Sequence, residues 1–319
     1  MRIMVTGGAG FIGSHLVEKL LSAGYEVDIL DNFNDFYNPE IKRNNISKCE
    51  SYTGYRLLEG DTRDRKFLSK IFGDQEYDLV IHLAALAGVR PSLQHPLQYS
   101  EVNIVGTQNI LEECRRKGIK KFIFASSSSV YGNNQNLPFR ETDSVDFPIS
   151  PYAATKKAGE LICHTYHHLY DISMMCLRFF TVYGPRQRPD LAIYKFVDKI
   201  SKGDTIKLYG DGTTARDYTF IDDIINGVMG AIKFLENNHC FEVINLGESV
   251  TVSLIEMVQI ISEEMGMKVN SEFVPMQPGD VTITYADISK AKRMIGYDPQ
   301  TDFRSGIIRF LNWYKNNNK

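Results

Sequence analysis

Short apolar runs alternate with segments of helical periodicity through the first 180 residues of the chain. The runs that predict buried strands are residues 3–5, 25–30, 55–59, 78–83, 121–125 and 172–177. Helical patterns follow most of them, and the longest are at residues 99–117 and 150–170. Because strands alternate with helices, we predict an α/β fold built on a parallel, doubly wound sheet.

This regular alternation ends near Phe180, where glycine and proline turns become frequent. We therefore expect a Rossmann domain over residues 1–180 and a smaller C-terminal substrate-binding domain formed mainly by residues 181–319. A segment near residues 215–247 is expected to return to the first domain, since residues 242–246 have the pattern of one more strand of its sheet.

Three glycines follow the first apolar run with a spacing suited to dinucleotide binding. Gly7, Gly10 and Gly13 separate residues 3–5 from a helical pattern, which gives a strand, a glycine turn and a helix in that order. Glycine lets the backbone approach a pyrophosphate, whose charge is then stabilised at the helix N-terminus. The spacing is GxxGxxG rather than the commoner GxGxxG, and any tight strand–helix turn also favours glycine.

An acidic residue ends the second predicted strand and favours one cofactor over another. Asp31 lies 18 residues beyond Gly13, where a carboxylate accepts hydrogen bonds from an adenosine ribose. The same carboxylate would repel a 2′-phosphate. The sequence therefore predicts NAD rather than NADP.

Composition and charge limit the classes of partner and the cellular compartment that we expect. The 319 residues include 36 basic and 39 acidic side chains, and the net charge of −3 gives no reason to expect nucleic acid or a membrane surface as a partner. No apolar run approaches the roughly 20 residues that cross a bilayer, and the chain starts directly on a predicted strand, so we expect no signal peptide. Five cysteines without CxxC spacing favour free thiols in a reducing compartment, so a cytoplasmic protein is expected.

A tyrosine and a lysine share one face near the start of the helix at residues 150–170. Tyr152 and Lys156 are spaced i and i+4. The ammonium of Lys156 can therefore stabilise the phenolate of Tyr152 and lower the tyrosine pKa from about 10 toward neutrality. Tyr152 then becomes a candidate general base for a substrate alcohol. YxxxK also occurs by chance on helix surfaces. The serine run 126–129, which follows the fifth predicted strand at the carboxyl edge of the sheet, favours the catalytic interpretation.

At these residues the chain resembles the extended short-chain dehydrogenase/reductase family. The resemblance covers nearly the whole chain and rests on TGGAGFIG at residues 6–13, HLAA at 82–85, the trio Ser127, Tyr152 and Lys156, VNIVGTQNIL at 102–111 and YADISKAKRMIGY at 285–297. It implies that Tyr152 is the acid/base, that Lys156 also binds the nicotinamide ribose, and that Ser127 positions the reacting hydroxyl. The implied NAD contacts are Gly7, Gly10, Phe11, Ile12, Gly13, Asp31, Asn32, Asp61, Thr62, Leu83, Ala84, Ala85, Tyr152 and Lys156, with Asp61 at the adenine.

The two residues before Val130-Tyr131-Gly132 indicate the reaction. Members of the family that dehydrate sugars carry an Asp-Glu pair there, and UDP-glucuronate decarboxylases usually carry a Glu directly before VYG. Here Ser128 and Ser129 occupy those places. An acid for elimination is therefore missing, which favours removal and return of a hydride, that is, epimerisation.

Further stretches indicate the substrate. UDP-galactose 4-epimerases typically read RYFNP after the sixth strand, whereas this chain has Thr181 in place of that Asn. RQRPDLA (186–192), AGVRPS (87–92) and MQPGDV (276–281) resemble UDP-glucuronate 4-epimerases, although many relatives have Arg where Gln277 stands. Arg216 and Arg188 suit a diphosphate because arginine donates paired hydrogen bonds. The implied substrate contacts are Arg90, Ser128, Ser129, Thr181, Arg188, Arg216, Gln277 and Asp280.

The prediction is therefore NAD-dependent conversion of UDP-glucuronate to UDP-galacturonate through a 4-keto intermediate. The alternatives are epimerisation of UDP-glucose or a UDP-N-acetylhexosamine, then decarboxylation of UDP-glucuronate, then a non-catalytic NAD-binding protein. We expect no metal: His164, His167 and His168 have helical ligand spacing but no acidic or cysteine partner nearby. The resemblance also implies a homodimer formed through the helices at 99–117 and 150–170.

Overall fold

The computed structural model describes residues 1–277 and 279–317. Within these ranges the strands are β1 (Arg2–Thr6), β2 (Glu26–Asp31), β3 (Tyr55–Glu59), β4 (Leu79–His82), β5 (Lys121–Ser127), β6 (Ser173–Phe179), β7 (Thr181–Tyr183), β8 (Ile206–Tyr209), β9 (Ala215–Phe220), β10 (Phe241–Leu246), β11 (Thr251–Ser253) and β12 (Ser271–Val274). The α-helices are α1 (Phe11–Ser22), α2 (Pro39–Ile46), α3 (Arg65–Ile71), α4 (Val89–Gln94), α5 (Pro96–Ser100), α6 (Gly106–Lys117), α7 (Pro151–Tyr170), α8 (Ala192–Ser201), α9 (Ile221–Asn237), α10 (Leu254–Met265), α11 (Ser289–Ile295) and α12 (Phe303–Asn317).

The main sheet has seven parallel strands in the order β10-β6-β5-β4-β1-β2-β3. The strand order reverses between β1 and β4, and ligands bind at such a switch point, outside the carboxyl ends of the strands. The predicted doubly wound sheet is confirmed. The strand predicted at residues 242–246 is also present, because β10 pairs with β6 at the edge of the sheet.

Apolar side chains on both faces of the sheet form its two cores. Val5 and Leu16 belong to the cluster between the sheet and α1 and α9, whereas Met4, Val80 and Ile110 belong to the cluster on the other face. All five side chains are fully buried. Burial of each such side chain stabilises the fold by about 1.5–3 kcal/mol. Strands that are apolar on both faces are typical of a sheet that is covered by helices on both sides.

Two local predictions were wrong. The sequence predicts that the fifth strand ends at residue 125, but Ser126 and Ser127 are the last residues of β5, and a short 3₁₀ turn covers Ser128–Tyr131. The single helix expected over residues 99–117 is divided by a π-helical turn at Glu101–Val105. In this turn Asn103 accepts a hydrogen bond from the Leu86 amide and donates one to the Leu86 carbonyl, and these tertiary bonds favour the wider turn.

Helix α7 begins as the sequence predicts, because the Ser150 hydroxyl accepts a hydrogen bond from the Ala153 amide and caps the helix. Pro151 occupies the first helical position, where its missing N–H costs nothing. Tyr152 and Lys156 therefore lie in the first two turns, next to the carboxyl ends of β5 and β6.

The second half of the chain adds two small sheets beside the carboxyl edge of the main sheet. One has the order β11-β9-β7 and the other pairs β12 with β8. No helix within the described ranges is long and apolar enough to cross a membrane. All five cysteines lie within these ranges as free thiols, and four of them are buried.

Candidate active site

A cleft of about 390 Å³ lies at the carboxyl edge of the main sheet, at the switch point. The glycine turn after β1, the ends of β2, β4 and β5, the start of α7 and the segment after β6 line it. It brings together most of the residues that the sequence singled out: Gly7, Gly10, Phe11, Ile12, Gly13, Asp31, Asn32, Asp61, Thr62, Leu83, Ala84, Ala85, Ser127, Ser128, Ser129, Tyr152, Lys156, Thr181 and Arg188.

The glycine turn fits a pyrophosphate. Gly7 has φ +70°, and a Cβ at this position would lie 2.7 Å from the amide nitrogen of Ala84. A Cβ at Gly13 would lie 2.2 Å from the carbonyl oxygen of Gly7. Both positions therefore exclude a side chain. Helix α1 begins at Phe11, so its free amides face the cleft and favour an anion there.

Asp31 ends β2 at one side of the cleft and is buried. Its carboxylate accepts hydrogen bonds from the amides of Ala9, at 3.2 Å, and Phe33, at 2.9 Å. The ammonium of Lys42 lies 3.3 Å from Oδ1 and is itself buried. The sequence analysis missed Lys42, because α2 lies in a polar stretch and nothing local indicates that it reaches back to β2.

Asp61 lies on the same side of the cleft and holds two neighbours. It accepts hydrogen bonds from Arg63, at 2.8 and 3.0 Å, and from the amide group of Asn32, at 3.0 Å. The bond from Arg63 is the main reason that the pKa of Asp61 is lowered to about 2. Asp61 is therefore a fixed acceptor that orients Asn32 toward the cleft. Arg63 was not predicted as a site residue.

Tyr152, Lys156 and Ser127 meet at the floor of the cleft. Lys156 is buried, and its Nζ donates a hydrogen bond of 2.8 Å to the carbonyl oxygen of Ala125. The same Nζ lies 6.0 Å from the centroid of the Tyr152 ring. Tyr152 also packs edge-on against Tyr99, with 6.3 Å between the ring centroids. The i, i+4 spacing thus places the ammonium beside the tyrosine ring.

The pKa shifts at this floor differ from the sequence expectation. Burial raises the pKa of Tyr152, while a hydrogen bond with Ser127 and the charge of Arg188 oppose this change. Burial also lowers the pKa of Lys156, to about 8. The expected lowering of the tyrosine pKa by Lys156 was wrong for this state of the site, because the ammonium is directed to Ala125 and the phenol is removed from water.

Hydroxyl groups cover the wall above Tyr152. Ser127 donates a hydrogen bond to the Ser129 hydroxyl over 3.2 Å, and its own oxygen accepts one from the Ser129 amide. Ser128 and Thr181, the first residue of β7, line the same part of the cleft. Arg188 lies nearby and donates two hydrogen bonds to Asp190, at 2.8 and 2.7 Å. The wall therefore offers hydroxyls and one paired guanidinium.

Four predicted substrate residues lie outside this cleft. Arg90 forms an ion pair of 2.7 Å with Asp280, and Arg216 donates hydrogen bonds to the carbonyl oxygens of Val281 and Thr282. Gln277 lines a second cavity, of about 380 Å³. The structure thus groups these side chains near the small β8–β12 sheet. One residue of the MQPGDV stretch, Pro278, lies outside the described residues.

The three histidines of α7 contact aromatic and backbone groups. His164 packs edge-on against Phe241 at 5.0 Å, and Nδ1 of His167 lies 2.9 Å from the carbonyl oxygen of Ile172. His167 also stacks on His239. Among the described residues there is no cluster of His, Cys, Asp or Glu able to hold a metal ion.

Comparison with known proteins places the chain in a family. The fold and the cleft are those of an extended short-chain dehydrogenase/reductase. More narrowly, the chain belongs to the family described as GDP-mannose 4,6 dehydratase, whose pattern matches residues 4–310. It is 43% identical over 315 residues to a UDP-glucuronate 4-epimerase of Thermodesulfobacterium geofontis, covering 98% of this chain and 96% of the relative.

Solved structures agree with this placement. A Bacillus cereus UDP-glucuronic acid 4-epimerase, crystallised with UDP-glucuronic acid and NAD, is 37% identical and covers 99% of both chains with a TM-score of 0.93. A Thermotoga maritima UDP-glucose 4-epimerase, crystallised with UDP-glucose, is 30% identical and covers 100% of both chains with a TM-score of 0.91. The structural neighbours of this chain therefore include epimerases crystallised with a sugar that has a carboxylate at C6 and with a sugar that has a hydroxymethyl group there.

Proposed function

We propose that this protein is an NAD-dependent UDP-sugar 4-epimerase that converts UDP-glucuronate to UDP-galacturonate. One observation carries the proposal: Tyr152, Lys156 and Ser127 meet at the cleft floor, and Ser128 and Ser129 stand where a dehydratase or decarboxylase carries its acid. The relatives named as UDP-glucuronate 4-epimerases support the same reaction.

The residues of the cleft fit NAD. The turn at Gly7, Gly10 and Gly13 is the place for the pyrophosphate, Asp31 for the adenosine ribose, and Asp61 with Asn32 for the adenine side. Phe11, Ile12, Thr62, Leu83, Ala84 and Ala85 supply the remaining wall, and Lys156 would hold the nicotinamide ribose. When bound, NAD accepts a hydride from the sugar carbon and returns it.

Tyr152 is the acid/base of the proposed reaction. It accepts the proton of the sugar C4 hydroxyl while Ser127 holds that oxygen by a hydrogen bond. Because burial raises the pKa of Tyr152, the phenolate needs the positive charge of Lys156. After the 4-keto sugar has turned in the cleft, Tyr152 gives the proton back to the oxygen at C4.

The hydroxyl wall suits a carboxylate that must be kept intact. Oxidation of glucuronate at C4 gives a β-keto acid, which loses carbon dioxide when the bond to its carboxylate stands perpendicular to the plane of the ketone. Ser128, Ser129 and Thr181 can each donate a hydrogen bond to that carboxylate and restrict its rotation. A glutamate at position 129 would repel it. We infer that these three residues bind the C6 carboxylate. Arg188, which was expected at the diphosphate with Arg216, lies in this cleft instead and apart from Arg216.

The cluster outside the main cleft is proposed to bind the UDP portion. Arg90 pairs with Asp280, Arg216 bonds the next residue Val281, and Gln277 of the same segment lines the second cavity. Two guanidinium groups suit a diphosphate. In this arrangement a bound diphosphate would replace the carbonyl and carboxylate partners of these arginines.

The proposal is tested by incubating the purified protein, without added cofactor, with UDP-glucuronate and separately with UDP-glucose. NMR identifies the products. UDP-galacturonate should form with the carboxylate retained, while UDP-glucose stays unchanged. Conversion of UDP-glucose instead would refute the carboxylate interpretation, and release of a pentose would refute epimerisation. The Tyr152→Phe variant should retain NAD but lose nearly all turnover.

We also propose a homodimer formed by α7 and its neighbours. Leucines and a valine are exposed on these helices: Leu97 is 78% exposed, Leu169 59%, Leu161 56% and Val105 48%. Light scattering should report twice the chain mass, and the Leu161→Glu/Leu169→Glu variant should report one chain mass. The free thiols favour a cytoplasmic location.

A further inference from the structure

His82 ends β4 in the interior, behind the wall of the cofactor cleft. Its side chain lies between two threonines from different elements and is 1% exposed. Nδ1 lies 2.7 Å from Oγ1 of Thr6, the last residue of β1, and Nε2 lies 2.9 Å from Oγ1 of Thr107, in α6. The imidazole at the end of β4 thus links β1 to α6.

The hydrogen bonds around Thr107 decide which nitrogen carries the proton. Thr107 has a single hydroxyl proton and donates it to the carbonyl oxygen of Asn103 over 2.6 Å. The contact between Thr107 and His82 therefore needs a proton on Nε2. With a neutral ring, Nδ1 is then an acceptor and receives the proton of Thr6. Burial, aided by the charge of Lys156, lowers the pKa of His82 to about 3 and keeps the ring neutral.

The chain of bonds continues into the cofactor wall. Because the hydroxyl proton of Thr6 is used by His82, its oxygen is free to accept, and it receives the amide proton of Ala84 over 3.2 Å. The main-chain oxygen of Thr6 accepts the amide proton of Leu83 over 3.1 Å. Ala84 also sets the limit on Gly7, where a Cβ would lie 2.7 Å from the Ala84 nitrogen. The glycine turn and the segment after β4 are thus held together.

We propose that His82, as the neutral Nε2–H tautomer, is a positioning residue of the cofactor site. It orders a one-way series of hydrogen bonds, from the Ala84 amide through Thr6 to Nδ1, and from Nε2 through Thr107 to the Asn103 carbonyl. This series fixes Leu83 and Ala84 against the glycine turn. The proposal rests on the proposed use of NAD, but it does not depend on which sugar reacts.

A neutral imidazole suits this place because it accepts on one side and donates on the other at a fixed separation. Glutamine can also accept and donate, so His82→Gln is the conservative replacement. Leucine fills the space but does neither, so His82→Leu leaves the Thr6 hydroxyl without its acceptor. Thr107→Val removes the acceptor of the Nε2 proton, together with the hydroxyl that donates to Asn103, and keeps the shape of the side chain.

The first test is made on the wild-type protein, so it does not depend on the folding of a variant. Nitrogen-15 NMR of the histidine-labelled holoenzyme at pH 7 should show a neutral Nε2–H histidine whose signal disappears in His82→Gln and is thereby assigned to His82. The ring should stay neutral down to pH 5. An Nδ1–H tautomer, or a charged ring at pH 7, would overturn the proposal.

The second test measures NAD binding by calorimetry on the stripped protein. His82→Leu should bind NAD about tenfold more weakly, as expected for a lost hydrogen bond near the ligand, and His82→Gln should recover most of the affinity. Equal affinity of His82→Leu and wild type would contradict the positioning role. His168→Leu, at an exposed histidine of α7 that does not line the cleft, is the matched control and should bind NAD as wild type does. Failure to epimerise UDP-glucuronate would refute the proposed function but leave both results in place.

Discussion

Arg178 and Glu160 form an ion pair with two hydrogen bonds in the interior, directly below the candidate active site. Nε and Nη2 of Arg178 lie 2.8 and 2.9 Å from the two carboxylate oxygens, and each side chain is 3% exposed. The hydroxyl of Ser126 also donates to Glu160, over 2.6 Å. The pair therefore ties α7, which carries Tyr152, to the ends of β5 and β6.

Breaking this pair should destabilise the protein strongly. Glu160→Leu leaves the charge of Arg178 buried without its partner, and a loss of about 3–5 kcal/mol in the free energy of unfolding is expected. Glu160→Leu/Arg178→Met removes both charges and should cost much less than the sum of the two single variants. Urea unfolding of the four proteins measures this difference, and additive costs would contradict the coupling. Glu59→Gln, which breaks the exposed pair with Arg43, should cost about 1 kcal/mol or less.

Lys156 is expected to reduce stability while it serves the reaction. Its pKa is about 8 in the folded protein against 10.5 ordinarily, so the unfolded chain binds this proton more tightly. The resulting destabilisation is complete below pH 8 and is relieved as the pH rises from 8 to 10.5. Removing this charge should stabilise the protein by about 3 kcal/mol at pH 7, while losing the hydrogen bond to Ala125 should cost about 1 kcal/mol. Lys156→Met should therefore be more stable than wild type by about 2 kcal/mol at pH 7.

The gain in stability of Lys156→Met should shrink toward zero when unfolding is repeated at pH 10, and turnover should be lost at every pH. Urea unfolding at pH 7 and pH 10 measures both free energies. A variant less stable than wild type at pH 7 would show that the ammonium stabilises the fold, contrary to this account.

A negative charge at position 129 should separate substrates with and without a C6 carboxylate. Ser129→Glu is expected to weaken binding of UDP-glucuronate by about tenfold or more, because like charges meet in the hydroxyl wall. Calorimetry in the Tyr152→Phe background measures binding without turnover. Ser129→Gln has the same size without the charge and is the matched control. Equal losses in the two variants would mean that the effect is steric.

Glu248 should make the protein less stable at alkaline pH. Burial, followed by repulsion from Asp223 and Asp217, raises its pKa from 4.5 to about 8. The folded protein therefore binds this proton more tightly than the unfolded chain, and this stabilisation is lost as the pH rises from 4.5 through 8. Thermal unfolding between pH 5 and 9 should show Glu248→Gln gaining over wild type as the pH rises. The exposed Glu76→Gln is the control, and parallel profiles for Glu248→Gln and wild type would refute this assignment.

The sequence predicted the parts of the site that follow from local pattern and from topology. A glycine turn between a buried strand and a helix requires few tertiary details, and Gly7, Gly10 and Gly13 line the cleft as expected. Ser127 and Tyr152 are 25 residues apart in sequence but meet, because the carboxyl ends of parallel strands lie at one edge of a sheet.

Features that depend on partners from several elements could not be predicted. His82 makes its bonds to Thr6 and Thr107, and no spacing in the sequence indicates that these three meet. The π-helical turn at Glu101–Val105 lies within a pattern that is helical throughout, so only its tertiary bonds reveal it. The pKa of Tyr152 depends on how far the fold removes the phenol from water, which the i, i+4 spacing does not report.

The central claim is that the hydrogen at C4 leaves UDP-glucuronate and returns to the same carbon on the other face. Incubation with UDP-glucuronate carrying deuterium at C4, in ordinary water, tests it most directly. The account predicts UDP-galacturonate that keeps its deuterium at C4, with no carbon dioxide released. UDP-galacturonate with hydrogen from the solvent at C4 would contradict hydride return, and a decarboxylated product would contradict the role assigned to the hydroxyl wall.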